Sequence, residues 1–114
     1  HNPSGVIFSE EDMLQLQNIA EKHNLFVLSD EVYEHIIFDG NTHYSVARFP
    51  GLAARSFITA SFGKTFHNTG WKMGYCMAPK ALITEFRKVH QHNVFSVNST
   101  MQAALAAYLQ TTGR

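Results

Sequence analysis

Four residues of this chain could act together on one small molecule. They are Ser61 and Lys64 in Ser61-Phe62-Gly63-Lys64-Thr65, and Asp30 and Tyr33 in Ser29-Asp30-Glu31-Val32-Tyr33. Lys64 lies between two apolar runs, Phe57-Ile58-Thr59-Ala60 and Tyr75-Cys76-Met77-Ala78. Burial lowers a lysine pKa, and a neutral amine is a nucleophile that forms a Schiff base with a carbonyl. Most lysines are solvated loop residues, so a lysine in this place gains meaning from its company. A carboxylate, a phenol, a hydroxyl and an amine make a set that can hold a carbonyl compound and move protons on it.

Such a set works only if the backbone brings it to one place. Ser9 reads as an N-cap, with Asp12 in the capping-box position and Glu10 and Glu11 in the first turn. Met13, Leu16, Ile19 and Ala20 recur at helical spacing, so a helix is expected over residues 10–22, with Asn24 as a left-handed cap. Leu25-Phe26-Val27-Leu28 has the pattern of a strand buried on both faces of a parallel sheet. Ser56 to Ala60 and Gly74 to Ala78 read as two more buried strands. Turns are signalled at Asn2-Pro3-Ser4-Gly5, Asp39-Gly40-Asn41 and Pro50-Gly51, with a helical turn over Ser45 to Phe49. Leu82, Ile83, Phe86 and Val89 predict a helix over 80–92, and Met101, Ala104, Leu105, Tyr108 and Leu109 another over 99–109.

Strand alternates with helix, the order of an α/β layer architecture. Ligands of open α/β sheets bind beyond the carboxyl ends of the strands. Parallel strands ending at Leu28 and Ala60 would therefore open Asp30, Tyr33, Ser61 and Lys64 on one edge.

Composition narrows the function classes. At 114 residues the chain can bury one modest core. Nine basic residues balance nine acidic ones, which leaves no electrostatic basis for nucleic acid or an anionic membrane as partner. Cys76 is the single cysteine, has no internal disulfide partner, and suits a reducing, cytoplasmic compartment as a small buried hydrophobe. No apolar run reaches the length of a membrane span, and the opening residues lack a signal-peptide pattern. The ends look cut, at a turn before Gly5 and just past a helical pattern, so a piece of a larger protein is expected.

Two motif families compete for the four residues. Phe26-Val27-Leu28-Ser29-Asp30-Glu31 resembles a magnesium-binding strand of nucleotide-binding ATPases, and Gly63-Lys64-Thr65 the tail of a phosphate loop. That loop needs a glycine five residues before Gly63, where Ile58 stands, and the acid would precede the lysine loop in the wrong order. The better match is an ordered series: Asn2-Pro3-x-Gly5, Asp30-x-x-Tyr33, Ser61-x-x-Lys64 and Gly70-x-Lys72-x-Gly74. It resembles the class I/II aminotransferases of pyridoxal-phosphate fold type I over nearly the whole chain. The wording Gly70-Trp71-Lys72-Met73-Gly74-Tyr75 is most similar to the kynurenine and methionine aminotransferase branch.

The resemblance implies a role for each matched residue. Lys64 would carry the pyridoxal 5'-phosphate aldehyde as an internal aldimine, then serve as base and acid at the substrate Cα. Asp30 would hold the pyridine nitrogen protonated, and Asn2 and Tyr33 would hydrogen-bond the ring's 3-oxygen. Ser61 and Lys72 would bind the phosphate; lysine replaces the family's frequent arginine, keeping charge but losing the bidentate fork. Gly70 and Gly74 would permit close backbone packing. Taken singly, Asp30 could be a strand-end cap, Tyr33 a half-buried tyrosine and Asn2 a turn residue.

The implied fold is an incomplete three-layer α-β-α large domain, a mostly parallel sheet flanked by helices. The whole protein would be a cytoplasmic homodimer transferring an amino group from a methionine, aromatic or kynurenine-like amino acid to a 2-oxo acid. A ring-stacking aromatic and phosphate-binding amides would lie upstream of Asn2, and the substrate-carboxylate arginine in a small domain downstream of Arg114. A carbon–sulfur β-lyase on the same fold is the enzymatic alternative, and an aminotransferase-like domain of a transcription regulator the non-enzymatic one. The seven histidines show no zinc spacing. His67 and Asn68 lie near the lysine loop, and Trp71 reads as a packing anchor.

Overall fold

The first helix forms with the bounds its periodicity predicts: α1 spans Glu10–Lys22. In this computed structural model, which describes residues 1–112, Ser9 Oγ accepts the Asp12 N–H at 3.1 Å. The Asp12 carboxylate in turn accepts the Ser9 N–H at 2.8 Å, closing the capping box. Asn24 takes the left-handed conformation that ends the helix, with φ 50°. Met13 and Ala20 are buried and Leu16 packs beside them, whereas Ile19 is exposed. The buried stripe is thus narrower than the periodicity implied, because α1 rests mainly on the short helix α2 (Pro50–Ala53). Gln17 fastens the two, its Oε1 accepting the Gly51 N–H at 2.9 Å.

Three strands follow: β1 (Val27–Asp30), β2 (Ser56–Ser61) and β3 (Gly74–Met77), in the spatial order β1-β2-β3. β1 and β2 are parallel, with Val27 opposite Ser56 and Asp30 opposite Thr59. β3 runs antiparallel to β2, with Ser61 opposite Gly74 and Ile58 opposite Met77. The reversal has a simple cause. Between β2 and β3 stand only α3 (Phe62–Thr65) and a 3-10 turn, Thr69–Trp71, too short to carry the chain back across the sheet for parallel pairing.

Residues paired across strands share a face. Val27, Ser29, Ser56, Ile58 and Ala60 therefore face one side, and Leu28, Asp30, Phe57, Thr59 and Ser61 the other. The first side packs into the core formed by Met13, Ala20, Val46, Phe49, Leu52 and Ile58. On the second side Phe57 meets Phe86 of α4 (Lys80–Asn93), ring centroids 6.1 Å apart. Helices thus lie on both sides of the sheet, in three layers.

Burial of β1 on both faces is not observed. Leu28 is 72% exposed, since β1 is an edge strand of the sheet. In α4 the expected apolar Val89 is likewise exposed, while Leu82, Ile83 and Phe86 are half-buried. A 3-10 turn, Val46–Arg48, occupies the expected helical turn after Ser45, and α5 (Ser99–Thr112) extends past its predicted end with Leu105 buried.

Candidate functional site

The carboxyl end of β1 turns sharply. Asp30 closes the strand with its side chain exposed, and Oδ1 accepts the Val32 N–H at 3.3 Å. The strand-end cap is therefore real, yet it occupies one carboxylate oxygen only. Glu31 N–H donates to Thr59 O at 2.7 Å, extending the β1–β2 ladder, and Glu34 N–H donates back to Glu31 O at 2.9 Å. The turn so closed carries the half-buried Tyr33.

The end of β2 builds the second half. Ser61 caps α3, its Oγ accepting the Gly63 N–H at 3.0 Å and donating weakly to Met73 O at 3.3 Å. Gly63 has no room for a side chain: a Cβ there would stand 2.8 Å from Thr69 Cα. Its carbonyl is held by Thr69 Oγ1 at 3.1 Å and Asn68 N–H at 3.0 Å, which folds the loop over the one-turn helix. Lys64, half-buried on that helix, places its amine 5.9 Å from the Tyr33 ring centroid. Among the described residues it has no ion-pair partner and no hydrogen bond. A lysine held over a phenol without a counter-ion remains available to a ligand.

Lys72 is exposed, has a left-handed φ of 56°, and precedes Gly74, the residue opposite Ser61. It thus stands on the Ser61 side of β2, with Asp30 across β2 on the other side. Gly74 is needed for that pairing, since a Cβ would come within 2.6 Å of Ala60 O. Gly70, expected to serve the same purpose, has open space around it. The sheet edge therefore collects Asp30, Tyr33, Ser61, Lys64 and Lys72. Asn2 makes no described contact with them: it sits exposed in a turn closed by Gly5 N–H to His1 O at 2.7 Å, and its side chain makes no hydrogen bond among the described residues. An open cavity of about 550 Å³ begins beside them, lined by His1, Gly5, Asp30, Glu31 and Tyr33 but not by Lys64, Ser61 or Lys72.

Two further side-chain links were not visible in the sequence. Glu31, only 5% exposed, accepts from Ser29 Oγ at 2.9 Å, Ser45 Oγ at 3.1 Å, the Val46 N–H at 3.1 Å and His43 Nε2 at 2.9 Å. Burial pushes its carboxyl up, and the His43, Ser45, Ser29 and Val46 donors outweigh that and hold it below the usual carboxylate value. Tyr75 OH donates to Glu34 Oε1 at 2.7 Å, and its ring lies 5.4 Å from Phe62. Burial, then the Glu34 carboxylate, push the Tyr75 phenol up to about 12. The Glu34–Tyr75 bond joins the turn after β1 to the start of β3. The only sequence signal for either link was a run of acids, Asp30-Glu31 and Glu34, too many for one role.

The remaining candidates fall elsewhere. No group of three or more metal-ligating side chains forms among the described residues, and His43 is engaged by Glu31. Cys76 is half-buried, and burial pushes its thiol pKa up. Trp71, expected as a packing anchor, is 40% exposed and lines a second cavity with His67, Asn68 and Tyr108. No described helix is long and apolar enough to cross a membrane.

The groups at this edge have the chemistry to hold a charged small molecule. An unpaired amine can take a carbonyl, a half-used carboxylate can hold a cationic ring nitrogen, and a hydroxyl with a lysine can hold an anion. Comparison with known proteins points the same way. The family model for aminotransferase class I and II matches residues 1–114. A methionine aminotransferase of Escherichia coli (strain K12) is 49% identical over 110 residues, 96% of this chain and 28% of that protein. A kynurenine–oxoglutarate transaminase of Dictyostelium discoideum is 41% identical over 112 residues, 96% of this chain and 26% of that protein. Among solved structures, N-succinyldiaminopimelate aminotransferase from Mycobacterium tuberculosis superposes with a TM-score of 0.92 at 38% identity, covering 98% of this chain and 29% of that one. The chain thus spans less than a third of the length of the relatives it matches.

Proposed function

This chain belongs to the class I and II aminotransferases, and from that premise we propose that it is the central part of the large domain of a pyridoxal 5'-phosphate-dependent enzyme. The whole protein moves an amino group from a methionine, aromatic or kynurenine-like amino acid to a 2-oxo acid. Relatives named for methionine and kynurenine support that substrate class. The carrying observation is the half-buried Lys64 amine, unpaired over Tyr33 at the sheet edge that also bears Asp30.

Bound pyridoxal phosphate supplies the aldehyde that the amine takes and a protonated ring that withdraws electrons. Lys64 Nζ would hold the cofactor at its aldehyde carbon, and would take a proton from the substrate Cα and return one as acid. The Asp30 carboxylate, with one oxygen left by the Val32 N–H, keeps the ring nitrogen charged. Tyr33 donates to the ring's 3-oxygen, with Asn2 as a second donor from the adjoining turn. Ser61 and Lys72 bind the phosphate, and the capped N-terminus of the Lys64 helix orients the Ser61 hydroxyl.

The remaining chain supplies the substrate-carboxylate arginine and the ring-stacking aromatic. A second copy of the whole protein completes a homodimer, and the lone thiol fits the cytoplasm. The test is the full-length protein incubated with pyridoxal phosphate, a 2-oxo acid and, in turn, methionine, phenylalanine and kynurenine. Cofactor-dependent appearance of the amino acid made from the 2-oxo acid is the expected result. Ammonia release from a cysteine conjugate without amino transfer would establish the β-lyase instead.

A further inference from the structure

We propose that Glu31 is a positioning residue for the cofactor site, its buried carboxylate clamping the Asp30–Tyr33 turn to the segment His43–Val46 so that Asp30 and Tyr33 meet the ring together. The proposal rests on the cofactor reading above. Its basis is an imbalance between neighbours. Asp30 is exposed and holds one local hydrogen bond, whereas Glu31, next in the chain, is buried with four donors. Three of these come from residues 12 to 15 positions away, His43, Ser45 and Val46. The fourth, Ser29, lies on β1 itself.

Without Glu31 the turn would be held by two backbone bonds, Glu31 N–H to Thr59 O and Glu34 N–H to Glu31 O, the local Val32 N–H to Asp30 bond, and the Tyr75 bond to Glu34 at its far end. Burying a carboxylate is unfavourable unless its lone pairs are all met. Hydrophobic packing alone would have been served by a leucine there. Charged hydrogen bonds to donors in fixed directions set the rotation of the turn as well as its depth. Rotation decides whether the side chains on either side of Glu31 point at one object. The arrangement also gives His43 a use: it is the polar cover on the clamp, with its ring nitrogen 2.9 Å from Glu31 Oε2.

The experiment titrates pyridoxal 5'-phosphate into the full-length protein and follows the visible absorption of the bound cofactor. It compares wild type with Glu31→Gln, His43→Gln, Ser45→Ala and, as control, Lys64→Ala, at temperatures where each is folded by circular dichroism. Glu31→Gln keeps the shape but offers one acceptor where two stood. The expected result is an affinity loss of about tenfold, the scale seen for groups that orient ligand-holding residues. The pH midpoint of the visible band should also move, because that midpoint reads the hydrogen bonds at the ring nitrogen and 3-oxygen. His43→Gln and Ser45→Ala should move it in the same direction by less. A Glu31→Gln protein with wild-type affinity and midpoint, even if it melts earlier, overturns the proposal: Glu31 would then serve stability alone. Should Glu31→Gln not fold, the two outer variants decide, a moved midpoint supporting the clamp and an unmoved one refuting it. A wild type without the band, or a Lys64→Ala that keeps it, overturns the cofactor reading itself and the clamp with it.

Discussion

At the scale of single residues, the site divides into groups that are free and groups that are engaged. Among the described residues Lys64 is free, so Lys64→Ala in the full-length protein should abolish the visible cofactor band and amino transfer together; a retained band would remove Lys64 from its role. Asp30→Asn should leave cofactor bound and slow Cα proton abstraction by orders of magnitude, because a neutral partner no longer holds the ring charged; unchanged single-turnover rates would refute the assignment. Tyr75 is engaged. Burial, then the Glu34 carboxylate, push its phenol from the ordinary 10.0 up to about 12, so the neutral form is favoured in the fold. The stabilisation this gives is complete below pH 10.0 and is lost as pH rises through about 12. Tyr75→Phe should therefore remove one tyrosinate absorption step near pH 12 and flatten the fall of stability across that window. A difference spectrum in which the lost step lies near pH 10.0 would contradict the Glu34–Tyr75 bond.

At the scale of elements, the glycines give a direct comparison. A methyl group at Gly74 would meet the Ala60 carbonyl at 2.6 Å, whereas at Gly70 it would meet nothing within 4 Å. Gly74→Ala should cost about 1–3 kcal/mol by forcing β3 off β2, and Gly70→Ala should stay within about 0.5 kcal/mol, both by denaturant melts. The two glycines look alike in the chain, and only the register of Ser61 with Gly74 separates them. The same limit governed the rest of the sequence reading. Local signals were legible: Ser9 with Asp12 announced α1, and the apolar runs announced β2 and, two residues early at Leu25–Leu28, the strand β1 that runs Val27–Asp30. The edge that gathers Asp30, Tyr33, Ser61 and Lys64 followed from strand order. Hidden were facts that depend on what lies across the fold. Leu28 is apolar yet exposed on an edge strand, Trp71 borders a cavity, and Glu31 is buried with three of its four donors far along the chain.

At the scale of the whole molecule, the chain matches relatives more than three times as long and leaves Phe26, Leu28 and Phe95 largely exposed. Produced alone, the 114 residues should give no cofactor-dependent 2-oxo acid from any amino acid, and should bind a hydrophobic dye that the full-length protein does not. Turnover by the isolated chain would show that the arginine and aromatic placed outside it are dispensable.

The two pairings of β2 also differ in how far apart their partners lie in the chain. Ser61 meets Gly74 after a short excursion, while Asp30 meets Thr59 only after a long one. Closing the longer excursion costs more chain entropy, so contacts of the first kind tend to form earlier. Ser61, Lys64 and Lys72 would thus take shape in a nearly autonomous hairpin, and Asp30 would arrive afterwards. Substitutions that loosen β2–β3, Gly74→Ala first, should slow refolding; those that loosen β1, such as Ser29→Ala, should chiefly hasten unfolding. A nascent protein would then own Lys64 before it owns Asp30.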